Sequence, residues 1–222
     1  MGSLRKNLYK VSQMKWNKKL ELLSSITLDL QLIHSNNIIH CDLHSGNIFQ
    51  DNLHSAYIGD LGIAISVNKT LDKESRGIYG TLPYVAPEVL QGKPFTKASD
   101  IYSFGMIMWE ISSGNFVFSD YKNNDSSLAI EICFKELRPN ILKAIEVHET
   151  ILKWKNSTEI LADFLRSDEN MEIEDNGFDN VEDSTIYTSQ FISYINQQSS
   201  ECIITDEIFF IKDIEKLSNQ TY

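Results

Sequence analysis

The sequence predicts a mainly α-helical domain with one short β-hairpin, and three observations support this fold class. Apolar residues recur at three- and four-residue steps from Trp16 to Ile33, which is typical of one face of an amphipathic helix. The segment Ser99–Ser113 is apolar on nearly every side, so we expect it to lie in a core. Between these two segments, two short β-type runs flank the polar turn Asp51-Asn52.

The elements can be placed in chain order. A long helix is predicted over residues 15–35 and ends at two asparagines, and the hairpin strands are Ile48-Phe49 and Ala56–Ile58. Residues 62–83 are polar and contain turn-forming residues, so they are expected to form a long loop. After the buried helix, three more helices are predicted, over residues 128–137, 144–154 and 159–165.

The charge of the chain changes near residue 140. The 222 residues carry a net charge of −11, and residues 141–222 supply all of it, with 17 acidic and 6 basic side chains. This excess argues against nucleic-acid binding through a basic patch. Three parts are expected: a domain over residues 1–155, an acidic linker over 156–185, and an extension of unknown structure over 186–222. An unidentified basic partner for the acidic C-terminal part stays open beside a merely solvated linker.

Cysteine usage and hydropathy predict a cytoplasmic or nuclear location, with the cytoplasm as the first expectation. The three cysteines are Cys41, Cys133 and Cys202, and no two of them form a C-x-x-C pair. We therefore expect neither a zinc site nor a disulfide framework, which is typical of a reducing compartment. No apolar run is long enough to span a bilayer and the first residues lack a signal-peptide core, so no membrane association is expected.

Three short motifs carry most of the information about function. The octet His40–Asn47 reads H-C-D-L-H-S-G-N and lies between the first helix and the hairpin. It is followed by Asp60-Leu61-Gly62 and then by Ala86-Pro87-Glu88. Asp60-Leu61-Gly62 and Ala86-Pro87-Glu88 each have little specificity alone and the octet is moderately specific, but the three in this order and spacing rarely arise by chance.

These motifs resemble the C-terminal lobe of the protein kinase superfamily, nearest to its tyrosine-kinase-like branch. The resemblance covers about residues 2–138. Gly80–Glu88 is similar to the substrate-binding loop of serine/threonine-directed members, and Asp100 matches a core-helix aspartate that hydrogen-bonds the catalytic loop. The resemblance implies the kinase-like α+β fold. A small-molecule phosphotransferase can share the octet, but Ala86-Pro87-Glu88 and Asp100 favour a protein kinase.

The resemblance also implies roles for single residues in phosphate transfer from ATP to a protein hydroxyl. Asp42 would accept or orient the proton of the hydroxyl, with His44 and Asn47 as the other catalytic residues of the octet. Asn47 and Asp60 would bind Mg²⁺ through oxygen atoms. Phe49 would lie under the adenine ring, so Asn47, Phe49 and Asp60 form the expected ATP site.

The chain departs from the family pattern at two positions of the octet. Cys41 stands where the family usually has an arginine that pairs with a phosphate on the activation loop, so we expect any activity to be independent of phosphorylation there. His44 stands where serine/threonine kinases usually have a lysine that neutralises the transferring phosphate. A mostly neutral imidazole would do this less well.

Larger departures predict an incomplete kinase. No Gly-rich loop or strand lysine is found, so the N-terminal lobe is expected to be missing. A second gap is expected near residues 140–144, which would leave Glu88 buried without its usual arginine, at a cost of several kcal/mol. The leading hypothesis is a serine/threonine-directed kinase fragment, weak or inactive alone. The alternatives are a catalytically dead kinase-like protein-binding module and a fragment without function.

Overall fold

The computed structural model describes residues 1–67, 77–119, 144–169 and 187–193, and these residues form a helical domain with small antiparallel sheets. The helices are α1 (Leu4–Ser12), α2 (Trp16–Ser35), α3 (Pro87–Leu90), α4 (Lys97–Ser113), α5 (Ala144–Asn156) and α6 (Thr158–Glu169). The strands are β1 (Gly2–Ser3), β2 (Ile38–Ile39), β3 (Ile48–Asn52), β4 (Ser55–Ile58), β5 (Ile65–Ser66), β6 (Gly77–Gly80) and β7 (Gln190–Ser193).

Helix α2 is the predicted amphipathic helix, and it packs against α4, α5, α6 and β4. The apolar positions Leu20, Leu23, Ile26 and Leu30 are fully buried or nearly so, which confirms the predicted face. The helix has no side-chain cap of its own at its N-terminus. The Asp168 carboxylate supplies one, because it accepts hydrogen bonds from the Trp16 N–H at 3.1 Å.

Helix α4 confirms the prediction of a core helix and begins two residues earlier than expected. Thr96 and Ser99 form a reciprocal capping box at its start, and Gly114 ends it with a φ of 75°, a left-handed value that suits glycine. Phe104, Ile107 and Ile111 are among its buried residues. Helix α4 is therefore a buried element of the core that can hold the loop containing the octet in place.

The predicted hairpin is also present. Strands β3 and β4 pair antiparallel with Ile48 opposite Ile58 and Phe49 opposite Tyr57, and β1 pairs with the other edge of β3. The octet lies between β2 and β3, and its last residues, Ser45–Asn47, form a turn of 3-10 helix. The hairpin thus begins directly at the end of the octet.

Two expectations about irregular segments are corrected. Residues 62–83 do not form loop alone, because β5 pairs with β2 and β6 pairs with the distant strand β7. The expected linker over 156–185 is helical over residues 158–169, because Phe164 is buried and stacks on Trp16 of α2, with ring centroids 4.7 Å apart. The helix expected at 128–137 and the gap expected near 140–144 lie outside the described residues.

Glu88 also differs from expectation. The structure places it half-buried in α3, so the energetic cost expected for a fully buried carboxylate does not apply.

Within the described residues, no helix is both long and apolar enough to cross a membrane.

Candidate active site

One buried aspartate of α4 holds the backbone of the octet in place. Asp100 is 1% exposed, and its carboxylate accepts hydrogen bonds from the backbone N–H groups of His40, at 2.8 Å, and Cys41, at 3.1 Å. The imidazole of His34 at the end of α2 lies 2.8 Å from the same carboxylate. These contacts hold Cys41 at a φ of 70°, a left-handed value that is unfavourable for a non-glycine residue. Asp100 therefore fixes the backbone just before Asp42.

His40 links the octet to the residue before Asp60. Its Nε2 lies 3.0 Å from the carbonyl oxygen of Gly59, which can only accept, so Nε2 carries the proton. Its Nδ1 then accepts a hydrogen bond from the Asp42 N–H at 3.3 Å. One neutral tautomer of His40 satisfies both contacts and holds the two segments together.

Asp42 presents its carboxylate to a small cluster of hydrogen-bond donors. One oxygen, Oδ1, accepts the backbone N–H of Thr81 at 3.0 Å. The other, Oδ2, accepts a hydrogen bond from the Ser189 hydroxyl and lies 3.5 Å from His44 Nε2. Burial alone would raise the pKa of Asp42, but the hydrogen bonds from His44, Ser189 and Thr81 outweigh it and hold the pKa at about 2. Asp42 is therefore an ionised, fixed acceptor at neutral pH.

His44 faces Asp42 as a neutral ring. Burial lowers the pKa of His44, and the nearby Arg5 guanidinium lowers it further, although Asp42 acts in the opposite direction. The Nδ1 atom accepts from the Gly46 N–H at 3.0 Å and from Arg5 at 3.1 Å, which leaves the proton on Nε2, facing Asp42. The structure thus supports the expectation that the ring carries no charge at neutral pH.

The hairpin register links Asn47 to the residue before Asp60. The Gly59 N–H donates to the carbonyl oxygen of Asn47 at 2.9 Å, which extends the β3–β4 ladder by one step, and Asp60 follows directly in the chain. The side-chain amide of Asn47 donates to the Asp42 carbonyl oxygen at 3.0 Å, so its own oxygen remains for another partner. Asp60 is exposed and has a left-handed φ of 57°.

These two oxygen donors suit a hard divalent cation. In the part of the chain that the structure describes, no group of three or more histidine, cysteine, aspartate or glutamate residues could hold a metal. A pair such as Asn47 and Asp60 fits Mg²⁺, which usually keeps several waters and binds through one or two protein oxygens and substrate phosphates. Zinc, which prefers a full set of nitrogen and sulfur ligands, does not fit this pair.

Phe49 lies on β3 next to this pair. Its ring is half-buried and stacks on Tyr57 with centroids 5.9 Å apart. It also lies against Gly59, where an added Cβ would come within 2.7 Å of the ring. Glycine at this position therefore allows the close contact between the Phe49 ring and the backbone before Asp60.

Sequence reasoning missed two residues below the octet, Tyr84 and Glu110. The hydroxyl of Tyr84 donates to Glu110 Oε1 at 2.6 Å and lies 3.1 Å from the hydroxyl of Ser45. Glu110 is fully buried, and the loss of solvation raises its pKa to about 7. The available signal was a single acidic residue within the otherwise apolar run Met106–Ile111 of α4.

Two further residues, Arg5 and Ser189, gave no motif in the sequence. They lie 39 residues before His44 and 147 residues after Asp42, respectively, and reach the site only through the fold. Long-range pairing of this kind leaves no local pattern that sequence reasoning could use.

The comparison with protein families shows the family of the chain. The family model described as "Protein kinase domain" matches residues 1–195. The chain belongs to the protein kinase family. Members of this family use ATP and a divalent metal ion and act on proteins, which agrees with the ionised Asp42 and the oxygen pair of this kinase domain.

Several curated kinases are similar to the chain. It is 29% identical over 127 residues to the probable serine/threonine-protein kinase PknB of Lactococcus lactis, covering 57% of this chain and 20% of that protein. It is 30% identical over 111 residues to the serine/threonine/tyrosine-protein kinase HT1 of Arabidopsis thaliana, covering 50% and 28%. It is 36% identical over 107 residues to the dual specificity protein kinase shkE of Dictyostelium discoideum, covering 47% and 15%. The chain thus spans less than a third of the length of these relatives.

Proposed function

We propose that this kinase domain transfers the γ-phosphate of ATP to a serine or threonine hydroxyl of a protein, with Asp42 as the residue that receives the hydroxyl. The observation that carries the proposal is the geometry of the Asp42 carboxylate. Thr81 fixes Oδ1 through its backbone N–H, while Oδ2 accepts a hydrogen bond from an aliphatic hydroxyl. This is the arrangement that an alcohol substrate needs.

The low pKa of Asp42 defines its part in the reaction. A carboxylate with a pKa of about 2 is a weak base, so it cannot remove the hydroxyl proton early. Phosphate transfer passes through a loose transition state with little bonding to the nucleophile, so the proton needs to leave only late. Asp42 therefore acts first by orienting the hydroxyl and then as the proton acceptor.

We propose that Asn47 and Asp60 hold Mg²⁺ through their side-chain oxygens. When bound, this ion supplies positive charge to the phosphates of ATP. The support is the chemistry of the donors, since the amide nitrogen of Asn47 is already used by Asp42 and the Asp60 carboxylate is exposed. Phe49 is proposed as the apolar surface under the adenine ring, and the described helices and hairpin as the C-terminal lobe of the family fold.

We propose that this activity is cytoplasmic, because three cysteines without a C-x-x-C pair are typical of a reducing compartment. The proposed substrates are proteins with serine or threonine hydroxyls. The acidic stretch of residues 163–183, which has nine acidic side chains against one arginine, is proposed to attract a basic partner.

A second candidate is a kinase-like protein-binding module that does not transfer phosphate. The neutral ring of His44 favours it, because the family usually places a lysine charge there to neutralise the transferring phosphate. Binding of ATP and transfer of phosphate must therefore be measured separately.

The test uses the full chain in two assays. Calorimetry should show that ATP binds only with Mg²⁺ and that Asp60→Ala removes this binding, whereas Asp51→Ala, at the exposed end of β3, keeps it. Radiolabelled γ-phosphate from ATP should then appear on serine or threonine of casein. Binding without transfer supports the binding module, and the absence of Mg²⁺-dependent binding contradicts the proposed ATP site.

A further inference from the structure

Residues 187–193 lie across the candidate active site of their own chain. Strand β7 pairs antiparallel with β6 in the register Gly80 opposite Gln190 and Tyr79 opposite Phe191. Strand β6 leads directly into Thr81, which binds Asp42. The pairing therefore aligns a later part of the chain with the segment that borders the catalytic carboxylate, in the way an extended peptide adds to a sheet edge.

Ser189 occupies the position of an acceptor hydroxyl. Its register places it next to Thr81, and its Oγ lies 3.3 Å from Thr81 Oγ1. The same hydroxyl donates to Asp42 Oδ2, at the oxygen that the Thr81 N–H leaves available. Ser189 is thus a serine hydroxyl held on the catalytic carboxylate.

Specific contacts anchor the segment before Ser189. The Tyr187 side chain is 2% exposed, its hydroxyl donates to the carbonyl oxygen of Val117 at 2.8 Å, and its ring lies 5.4 Å from that of Phe116. Arg5 donates to the carbonyl oxygen of Tyr187 at 2.6 Å and places its guanidinium 5.7 Å from the ring. Tyr187 is therefore a buried anchor two residues before Ser189.

The segment is also held after Ser189. Ile192 is buried opposite Ile78, and the exposed ring of Phe191 meets that of Tyr79 edge to face with centroids 5.7 Å apart. Anchors on both sides fix the direction of the strand and the place of Ser189 between them. A chance contact of this segment would not combine a buried aromatic anchor, a strand register and a hydroxyl on Asp42.

We propose that residues 187–193 are a tethered substrate of this kinase domain and that Ser189 is the site of intramolecular phosphorylation. The inference rests on the proposed function and names the first acceptor of that same site. A bond forms between Ser189 Oγ and the γ-phosphorus of ATP, while the bond from that phosphorus to the bridging oxygen breaks. ADP leaves with the electron pair of this bond, and the hydroxyl proton passes to Asp42 and then to solvent.

Phosphorylation of Ser189 would regulate access of other proteins to the site. A phosphoserine carries a charge of about −1.5 to −2 at neutral pH. At Ser189 this charge would face the ionised carboxylate of Asp42, and repulsion would expel the strand. The unmodified strand therefore excludes other proteins, and its phosphorylation opens the site to them.

The first test maps phosphate on the full chain after incubation with ATP and Mg²⁺. We expect phosphate on Ser189 with a first-order rate that does not change over about a tenfold range of chain concentration, because the reaction is intramolecular. Ser189→Ala should lose this phosphate, whereas Thr188→Ala, the preceding hydroxyl residue, should keep it. A rate proportional to concentration, or phosphate only at other residues, overturns the proposal.

A second test does not depend on turnover. Hydrogen exchange without ATP should show protected amides in residues 190–193 and 77–80, and Tyr187→Ala should remove this protection. Exchange in the wild-type chain as fast as in Tyr187→Ala overturns the proposal. Tyr187→Ala should also phosphorylate casein several-fold faster than the wild-type chain.

The two tests separate failure of this inference from failure of the proposed function. If Tyr187→Ala phosphorylates casein but the wild-type chain never carries phosphate on Ser189, the tethered substrate is wrong and the kinase activity stands. If neither casein nor Ser189 receives phosphate from either chain, the proposed function is wrong, and this inference fails with it.

Discussion

Replacing Glu110 by glutamine should make the chain more stable at pH 8 and remove a pH dependence that the wild-type chain shows. The loss of solvation raises the pKa of Glu110 from its ordinary value of 4.5 to about 7, even though Tyr84 and Val117 donate hydrogen bonds to it. Its Oε2 has no hydrogen-bond partner among the described residues. The folded chain therefore binds a proton more tightly at this carboxyl than the unfolded chain does.

The sign and size of the effect follow from linkage. Between pH 4.5 and about 7 the folded state holds more protons at Glu110 than the unfolded state, so the free energy of unfolding falls as pH rises through this window. The shift in the pKa of Glu110 corresponds to a decrease of roughly 3 kcal/mol in the free energy of unfolding, and the full decrease is reached above pH 7. Glutamine keeps an oxygen for Tyr84 and Val117 but cannot ionise.

The assay is urea unfolding at pH 5 and pH 8. The two chains should have similar unfolding free energies at pH 5, and Glu110→Gln should be more stable by about 2–3 kcal/mol at pH 8. Asp51→Asn, at the exposed end of β3, is the control and should leave the pH dependence unchanged. Equal slopes against pH for the wild-type and Glu110→Gln chains would refute the assignment of a raised pKa to this carboxyl.

Three further predictions address other buried groups. Asp100→Ala should lower the free energy of unfolding by about 3 kcal/mol or more, because two buried N–H groups lose their acceptor, and denaturant curves matching wild type would contradict this. Lys19→Met should stabilise the chain by about 1–3 kcal/mol at pH 7. Burial lowers the pKa of Lys19 to about 8, and its ammonium has no hydrogen-bond partner among the described residues. A lower melting temperature of Lys19→Met would contradict this. Burial raises the pKa of Cys41 to about 12. In a chain that carries Cys133→Ser and Cys202→Ser, a thiol reagent should therefore label Cys41 only after denaturation. Rapid labelling of the folded chain would contradict this, because it would show that the thiol is accessible.

Helices α2, α4 and α5 and the hairpin were predictable because their signals are local, whereas α1 and α3 were not predicted. The three- and four-residue spacing located α2 to within one residue at its start, and the two short β-type runs located the hairpin. The turn itself lies at Leu53-His54, whereas Asp51 and Asn52, predicted as the turn, end strand β3. The place of Asp60 after the second strand followed from the same pattern. Each of these features depends on residues that are neighbours in the sequence.

The sheet formed by β6 and β7 was not predictable, because its two strands are about 110 residues apart and neither has a strong strand pattern. The helix at 158–169 was only partly predicted, since the acidic composition of the following residues favoured a linker over the packing of Phe164 on Trp16. The roles of Asp42, His44, Asn47, Phe49 and Asp60 stay predictions until they are measured.

The most direct test of the account compares phosphate transfer by the full chain with that of Asp42→Asn. The readout is labelled phosphate from ATP on any serine or threonine of the chain itself or of casein, with Asp51→Asn as the control. We predict transfer by the wild-type and Asp51→Asn chains and a loss of about 100-fold or more in Asp42→Asn, because the carboxylate that orients the hydroxyl and accepts its proton is gone. Equal transfer by Asp42→Asn, or no transfer by the wild-type chain, would contradict the assignment of Asp42 as the residue that receives the hydroxyl.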